Sequence, residues 1–222
     1  MRTLFIAALL LAGPGLAQAY DLGQSSNRGD SWEWTFAGIY QNSDKTGAEG
    51  GSKLEVDSAL GLGFNFSYNF TDHLALGGDI EWLRPDYKAT LVSATDPADV
   101  QVIDHSMSQW NFRFKGTYNL LTGPLTPYVE AGLGWTNIDS NVLDGPPTTG
   151  CWWHPWWGYV CSDYYSTYTE TPFSYGGAVG VRYALPNGTI LKFSYNDYRL
   201  DSSGPSADPH LSAFRLEFGW RF

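Results

Sequence analysis

The feature that most constrains the fold is a strict alternation of residue types over 17 positions, from Leu54 to Phe70. The even positions read LVSLLFFYF, whereas the odd positions read EDAGGNSN. Successive side chains of a β-strand point to opposite faces, so a period of two predicts one long strand with an apolar face and a small or polar face. Its length exceeds the roughly 5 to 6 residues that are usual for a strand.

The same alternation recurs along the chain and predicts eight strands in all. The other segments are WEWTFAGIY, LALGGDIEW, SQWNFRFKGTYNL, YVEAGLGWTN, FSYGGAVGVRYAL, the shorter ILKFSYN, and AFRLEFGWRF. Short links (TDH, LTGPLT, PNG) alternate with long ones, of which the longest runs from about residue 139 to 171. This alternation predicts an all-β, antiparallel, up-and-down arrangement with the long links at one end and both termini at the other. The strand limits are least defined around Pro85 and Ile103.

Residue size decides which face of the predicted sheet is outside. The charged face is rich in glycine, whereas the other face carries most of the Trp, Phe, Tyr and Leu residues. The interior of an eight-stranded barrel is just wide enough for side chains to fill, so the bulky face must look outward. Only lipid tolerates such a surface, which excludes a soluble lipocalin-like barrel and predicts an eight-stranded transmembrane β-barrel. The predicted interfacial aromatic residues are Trp32, Tyr40, Trp82, Tyr118, Trp135 and Trp220.

The opposite face predicts a network of paired charges inside the barrel. Its acidic members come mostly from the first three strands and its basic members mostly from the later ones, so closure brings them together. A satisfied network that blocks the interior is favoured over a gated ion path. The predicted members are Glu33, Glu55, Asp57, Asp79, Glu81, Arg113, Lys115, Glu130, Arg182, Lys192, Arg215, Glu217 and Arg221.

The chain begins with a pattern typical of export. Residues 1–19 combine one Arg, an apolar run and small residues at Ala17 and Ala19, which predicts a cleaved signal peptide. The apolar run is far shorter than the roughly 20 residues of a spanning helix. Residues 20–222 are then one domain, and the net charge of −10 argues against nucleic acid as a partner.

The segment CWWHPWWGYVC, Cys151 to Cys161, predicts an exposed aromatic loop closed by a disulfide, because exported cysteines are usually oxidised. Zinc binding by the two cysteines and His154 is the alternative, but a fourth ligand is missing. The candidate recognition residues are Trp152, Trp153, Trp156, Trp157 and Tyr159. Rigid aromatic side chains are good anchors for a sugar or a partner. Alternatively, the rings pack on each other over the barrel mouth or lie among lipopolysaccharide headgroups.

No catalytic set stands out in the sequence. His105 lies beside Ser106 and close to Ser108, but the strand alternation turns its side chain away from both serines, so a nucleophile and base pair is not expected. We therefore expect no enzyme activity and no cofactor.

The segments PYVEAGLGW and YGGAVGVRYAL and the final FRLEFGWRF resemble the eight-stranded OmpA/OmpX-like barrels of bacterial outer membranes. The resemblance implies contact with outer-membrane lipid and lipopolysaccharide, periplasmic termini and extracellular long loops. It also implies that the assembly machinery reads the last strand, which ends at Phe222. The expected function is a structural or surface-interaction role through the aromatic loop. A narrow porin-like channel for small or hydrophobic solutes is the alternative.

Overall fold

The computed structural model describes residues 27–47, 52–92, 100–201 and 209–222, so the predicted signal peptide lies outside the described residues. Across these ranges the regular structure consists of fifteen β-strands. They are β1 (Ser31–Gln41), β2 (Asp44–Gly47), β3 (Lys53–Val56), β4 (Ala59–Asn69), β5 (Leu74–Leu83), β6 (Asp86–Val92), β7 (Val100–Ser106), β8 (Ser108–Asn119), β9 (Leu125–Leu143), β10 (Thr148–His154), β11 (Gly158–Tyr164), β12 (Thr167–Glu170), β13 (Phe173–Ala184), β14 (Thr189–Asp201) and β15 (His210–Arg221). No helix within these ranges is long and apolar enough to cross a membrane.

Eight of the described strands close into a barrel. The order around it is β1-β4-β5-β8-β9-β13-β14-β15, and β15 pairs again with β1. Every pair is antiparallel, which confirms the predicted eight-stranded, up-and-down, all-β fold. The seventh barrel strand was predicted too short, because β14 runs for 13 residues.

The two ends of the barrel differ. At one end the strands are joined by the short turns of residues 70–73, 120–124 and 185–188. Gly188 has a φ of +83°, which glycine adopts without strain, and this allows the tight PNG turn. At the other end β2, β3, β6 and β7 form a separate four-stranded sheet, β10 and β11 form a hairpin, and β12 pairs with the end of β9.

The structure defines the strand limits near Pro85 and Ile103, which the sequence left uncertain. β5 continues beyond Pro85 as β6, and β7 continues beyond Met107 as β8, so two barrel strands extend into the four-stranded sheet. The Met107 N–H donates to the Pro85 carbonyl at 3.0 Å. This hydrogen bond links the break between β5 and β6 to the break between β7 and β8.

The predicted 17-residue strand is also broken, between β3 and β4. Val56 pairs with Tyr87, which is 8% exposed and continues the inward row of β5 and β6, so Val56 lies on the inner side. In β4 the inward residues are instead the odd ones, such as Asn65. The break therefore shifts the alternation by one residue, which exchanges the two faces.

This exchange makes the predicted interior positions of Glu55 and Asp57 wrong. The Glu55 carboxylate lies on the outer face of the four-stranded sheet, where its Oε1 is 3.0 Å from the Lys45 Nζ. Asp57 is exposed in the break itself, and its N–H donates to the Asp86 carbonyl.

The barrel is apolar outside and polar inside. Leu60 is 79% exposed and Phe114 is 65% exposed, whereas Glu33 is only 2% exposed. The six predicted interfacial aromatic residues all lie on the outer face. A soluble domain buries its apolar side chains, so this chain has the reverse distribution.

Candidate functional site

The centre of the barrel interior is an ion-pair cluster between β5, β8 and β15. Arg113 Nη1 is 2.8 Å from Glu81 Oε2, and Lys115 Nζ is 3.0 Å from Asp79 Oδ2. Arg215 Nη1 bridges both carboxylates, at 2.5 Å from Asp79 Oδ2 and 3.0 Å from Glu81 Oε1. All five side chains are at most 4% exposed.

The cluster continues around the barrel wall. Lys115 Nζ lies 3.1 Å from Glu130 Oε1 on β9, and Arg215 Nε lies 3.1 Å from Glu217 Oε1 on β15. The Thr35 hydroxyl donates to the Glu217 carboxylate from β1. Together with the contacts of Arg215 to Asp79 and Glu81, the cluster ties β15 to β5 across the interior.

A second cluster lies nearer the short-turn end and is centred on Glu33. Its carboxylate pairs with the Arg182 guanidinium, lies 3.4 Å from Lys192 Nζ, and accepts a 2.9 Å hydrogen bond from Asn69 Nδ2. The cavity between the two clusters, bordered by Glu33 and Lys115, has a volume of about 10 Å³. This volume is close to the minimum needed to hold one water molecule.

Arg28 closes the short-turn end, and no sequence pattern predicts this role. Its side chain is fully buried, and its Nη2 donates to the Leu121 carbonyl at 2.5 Å and to Thr126 Oγ1 at 3.3 Å. Burial, together with the positive charge of Arg182, lowers the pKa of Arg28 to about 10. Arg28 precedes the first alternating segment, so strand periodicity carries no signal for it.

The structure thus brings together most of the predicted interior charges. Arg221, at the end of β15, is half-buried. Apart from Arg221, the predicted residues that lie in the interior are Glu33, Asp79, Glu81, Arg113, Lys115, Glu130, Arg182, Lys192, Arg215 and Glu217.

The aromatic loop is the hairpin of β10 and β11. Cys151 and Cys161 stand directly opposite each other and are joined by a disulfide, as the sequence predicts. Their thiols are therefore not available as metal ligands, and the zinc alternative is wrong. His154 Nδ1 instead accepts the Trp156 N–H at 3.2 Å, which helps to shape the turn.

The five candidate recognition residues share this hairpin. Trp153 and Tyr159 pair across the strands on the same face as the disulfide and are 74% and 68% exposed. Trp156 and Trp157 form the turn and are 82% and 76% exposed. Trp152 is 39% exposed and packs against another ring of the hairpin. Most of this aromatic surface is therefore free of contacts with the barrel.

A closed eight-stranded barrel with an apolar exterior and a charged interior defines a transmembrane β-barrel, the class found in bacterial outer membranes. A family model described as "Outer membrane protein beta-barrel domain" matches residues 5–222. The chain belongs to this family and is a bacterial outer-membrane protein.

The chain is also similar to several solved structures. OprG from Pseudomonas aeruginosa is 13% identical, with 88% of this chain and 97% of that chain covered and a TM-score of 0.54. Ail of Yersinia pestis, in complex with the heparin analogue sucrose octasulfate, is 13% identical over 87% and 99% of the chains, with a TM-score of 0.49. Neisserial surface protein A is 17% identical over 86% and 94%, with a TM-score of 0.48. A search of the curated proteins finds no match.

Proposed function

We propose that the barrel is an outer-membrane anchor and that the disulfide-bonded hairpin of β10 and β11 is a contact surface for a partner outside the cell. The observation that carries this proposal is the exposure of Trp153, Trp156 and Trp157, which is 74 to 82% on a covalently closed hairpin. Exposed groups of large aromatic side chains are characteristic of binding surfaces.

In this proposal the termini are periplasmic and the long links are extracellular, the usual orientation of such barrels. The length of β9 supports a position of the hairpin well beyond the membrane surface. Its 19 residues span about 60 Å at roughly 3.3 Å per residue, whereas the apolar band of such a barrel is about 25 Å tall. Its pairing with the barrel strand β8 stops at Asp139, and the hairpin begins only at Thr148.

The chemistry of the hairpin favours an uncharged partner surface. No Asp, Glu, Lys or Arg lies between Cys151 and Cys161, and the net charge of the chain is −10, which opposes anionic polymers. Indole rings stack on the apolar faces of neutral sugars, and the disulfide reduces the freedom that binding would otherwise remove. Neutral glycans are therefore the partner class that we propose.

An array of neutral glycans tests this proposal with the protein in lipid nanodiscs. The Trp153→Ala/Trp156→Ala/Trp157→Ala variant is expected to lose at least tenfold in affinity for any glycan that the wild type binds. Trp135→Ala is the matched control, because Trp135 is 47% exposed on the barrel wall and not on the hairpin. Equal binding by wild type and triple variant, or no glycan bound by the wild type, would count against a contact role for the hairpin.

A further inference from the structure

A cavity lies at the long-link end of the barrel, beyond the ion-pair clusters, and none of the roles described above uses it. Its volume is about 270 Å³. The wall is mainly apolar and includes Leu54, Val56, Met107, Ile138, Leu200 and Leu211. The exchange of faces between β3 and β4 is what turns Leu54 and Val56 toward this space.

The cavity has a polar floor with one unsatisfied acceptor. The Gln109 side chain is fully buried, and its Nε2 donates to Gln41 Oε1 and to Asn111 Oδ1, both at 3.2 Å. Gln109 Oε1 has no hydrogen-bond partner among the described residues. Gln109 Oε1 has almost no accessible surface, so the amide groups of the floor lie beneath the wall of the cavity and do not contact a bound molecule.

The charge of the lining points to a cationic ligand. Asp44 and Glu170 line the cavity, and none of the described lining residues is Lys, Arg or His. The Asp44 carboxylate accepts hydrogen bonds from two neutral donors, the His210 N–H and the Thr46 hydroxyl, both at 3.3 Å. Two carboxylates beside a largely apolar space attract a cation.

We propose that this cavity binds a small apolar ammonium compound. The apolar body displaces water from the wall, and the ammonium group supplies the positive charge and the donor N–H groups that the carboxylates favour. The cavity volume of about 270 Å³ suits a molecule of the size of 2-phenylethylammonium.

Binding of three soluble probes to the protein in nanodiscs tests the ligand class. The probes share a phenyl ring and differ in charge: 2-phenylethylammonium, neutral 2-phenylethanol and anionic 3-phenylpropionate. We expect the ammonium probe to bind at least tenfold more tightly than the carboxylate. We also expect Asp44→Asn to weaken binding of the ammonium probe severalfold and to leave the alcohol unchanged. Equal binding of the ammonium and carboxylate probes, or equal uptake by empty nanodiscs, would overturn the proposal.

A matched pair of variants tests the location. Val56→Trp fills the cavity, whereas Val102→Trp places the same side chain on the outer face of the same sheet, where Val102 is 59% exposed. We expect the first to weaken the ammonium probe at least tenfold and the second to leave it unchanged; equal affinity in both would overturn the assignment to this cavity. Each variant is checked by its change in gel mobility on boiling, and if Val56→Trp does not fold, Asp44→Asn and the three probes still decide the question. The triple tryptophan variant of the hairpin is expected to bind the probe normally, so this inference and the proposed function can fail independently.

Discussion

Single residues inside the barrel act through their partners. Arg215 contacts Asp79, Glu81 and Glu217, three carboxylates that are otherwise close together in a dry space. Removing one partner of a buried ion pair is strongly destabilising, because the remaining charge is left uncompensated. The ion pair of Lys45 with Glu55 has the same charges but lies in water.

Arg215→Met should therefore lower the free energy of unfolding by about 3 to 5 kcal/mol, a typical cost of breaking a buried pair. Lys45→Met is the control and should change it by less than about 1 kcal/mol, because exposed pairs contribute little. Urea unfolding in lipid vesicles, followed by tryptophan fluorescence, measures both. A cost for Arg215→Met as small as that for Lys45→Met would show that the interior charges do not depend on one another.

Asp72, in the turn between β4 and β5, gives a pH-dependent prediction. Its Oδ1 accepts the N–H groups of Arg28, at 2.5 Å, and Gly29, at 3.2 Å, and these hydrogen bonds lower the pKa of Asp72 below its usual value. A lowered pKa in the folded state means that the stabilisation is present above the unfolded pKa, about 3.9, and is lost as the pH falls through the folded pKa. The stability advantage of wild type over Asp72→Asn should thus be full at pH 7 and shrink below about pH 4. Unfolding at a series of pH values measures it, and a constant difference would contradict the prediction.

At the scale of strands, periodicity predicted the barrel well because lipid outside and a narrow interior each accept a single residue class. Phe64 and Phe66 fit only on the outer face, and Asn65 fits only on the inner face. Beyond the barrel, in β3, Leu54 lines a cavity and Glu55 is exposed. The sequence of β3 alternates between apolar and polar residues whichever face is turned inward, so the pattern does not show which face that is. The break at residues 57–58 therefore left no signal in the pattern.

Candidate functional residues were likewise predictable only where local chemistry or the alternating pattern determines their position. Cys151 and Cys161 were predictable because covalent chemistry and compartment decide their pairing. The cavity at the long-link end was not predictable, because it depends on where Val56 and Leu200, which lie on distant strands, come together. Arg28 stands outside any repeating pattern, and only the fold shows its burial.

The disulfide gives a prediction for one element. Cys151→Ser/Cys161→Ser removes a bond worth roughly 2 to 3 kcal/mol on the loop-closure model, for a sequence separation of 10. Amide hydrogen exchange in β10 and β11 should accelerate by up to about a hundredfold, while β13 and β14 remain as protected as in the wild type. Mass spectrometry of exchanged peptides reports both regions. Acceleration spread evenly over the barrel would mean that the hairpin and the barrel unfold as one unit.

At the scale of the whole molecule, the contents of the barrel interior support the proposed anchor over a channel. Two ion-pair clusters fill the barrel from β1 to β15, the cavity between them holds about 10 Å³, and Arg28 closes the short-turn end. An ion that crossed would have to separate buried pairs whose charges are already compensated.

We therefore expect the folded protein in planar lipid bilayers to give no stable, ohmic current steps at neutral pH and moderate salt. The same preparation must show its folded gel mobility before boiling, so that silence reports a closed barrel and not an absent one. Arg28→Ala tests the role of the short-turn end, and it should also be silent because the clusters centred on Glu33 and Glu81 remain in place. Stable steps in the wild type would support the porin-like alternative. Steps in Arg28→Ala alone would mean that this one side chain seals a path that the ion pairs leave open.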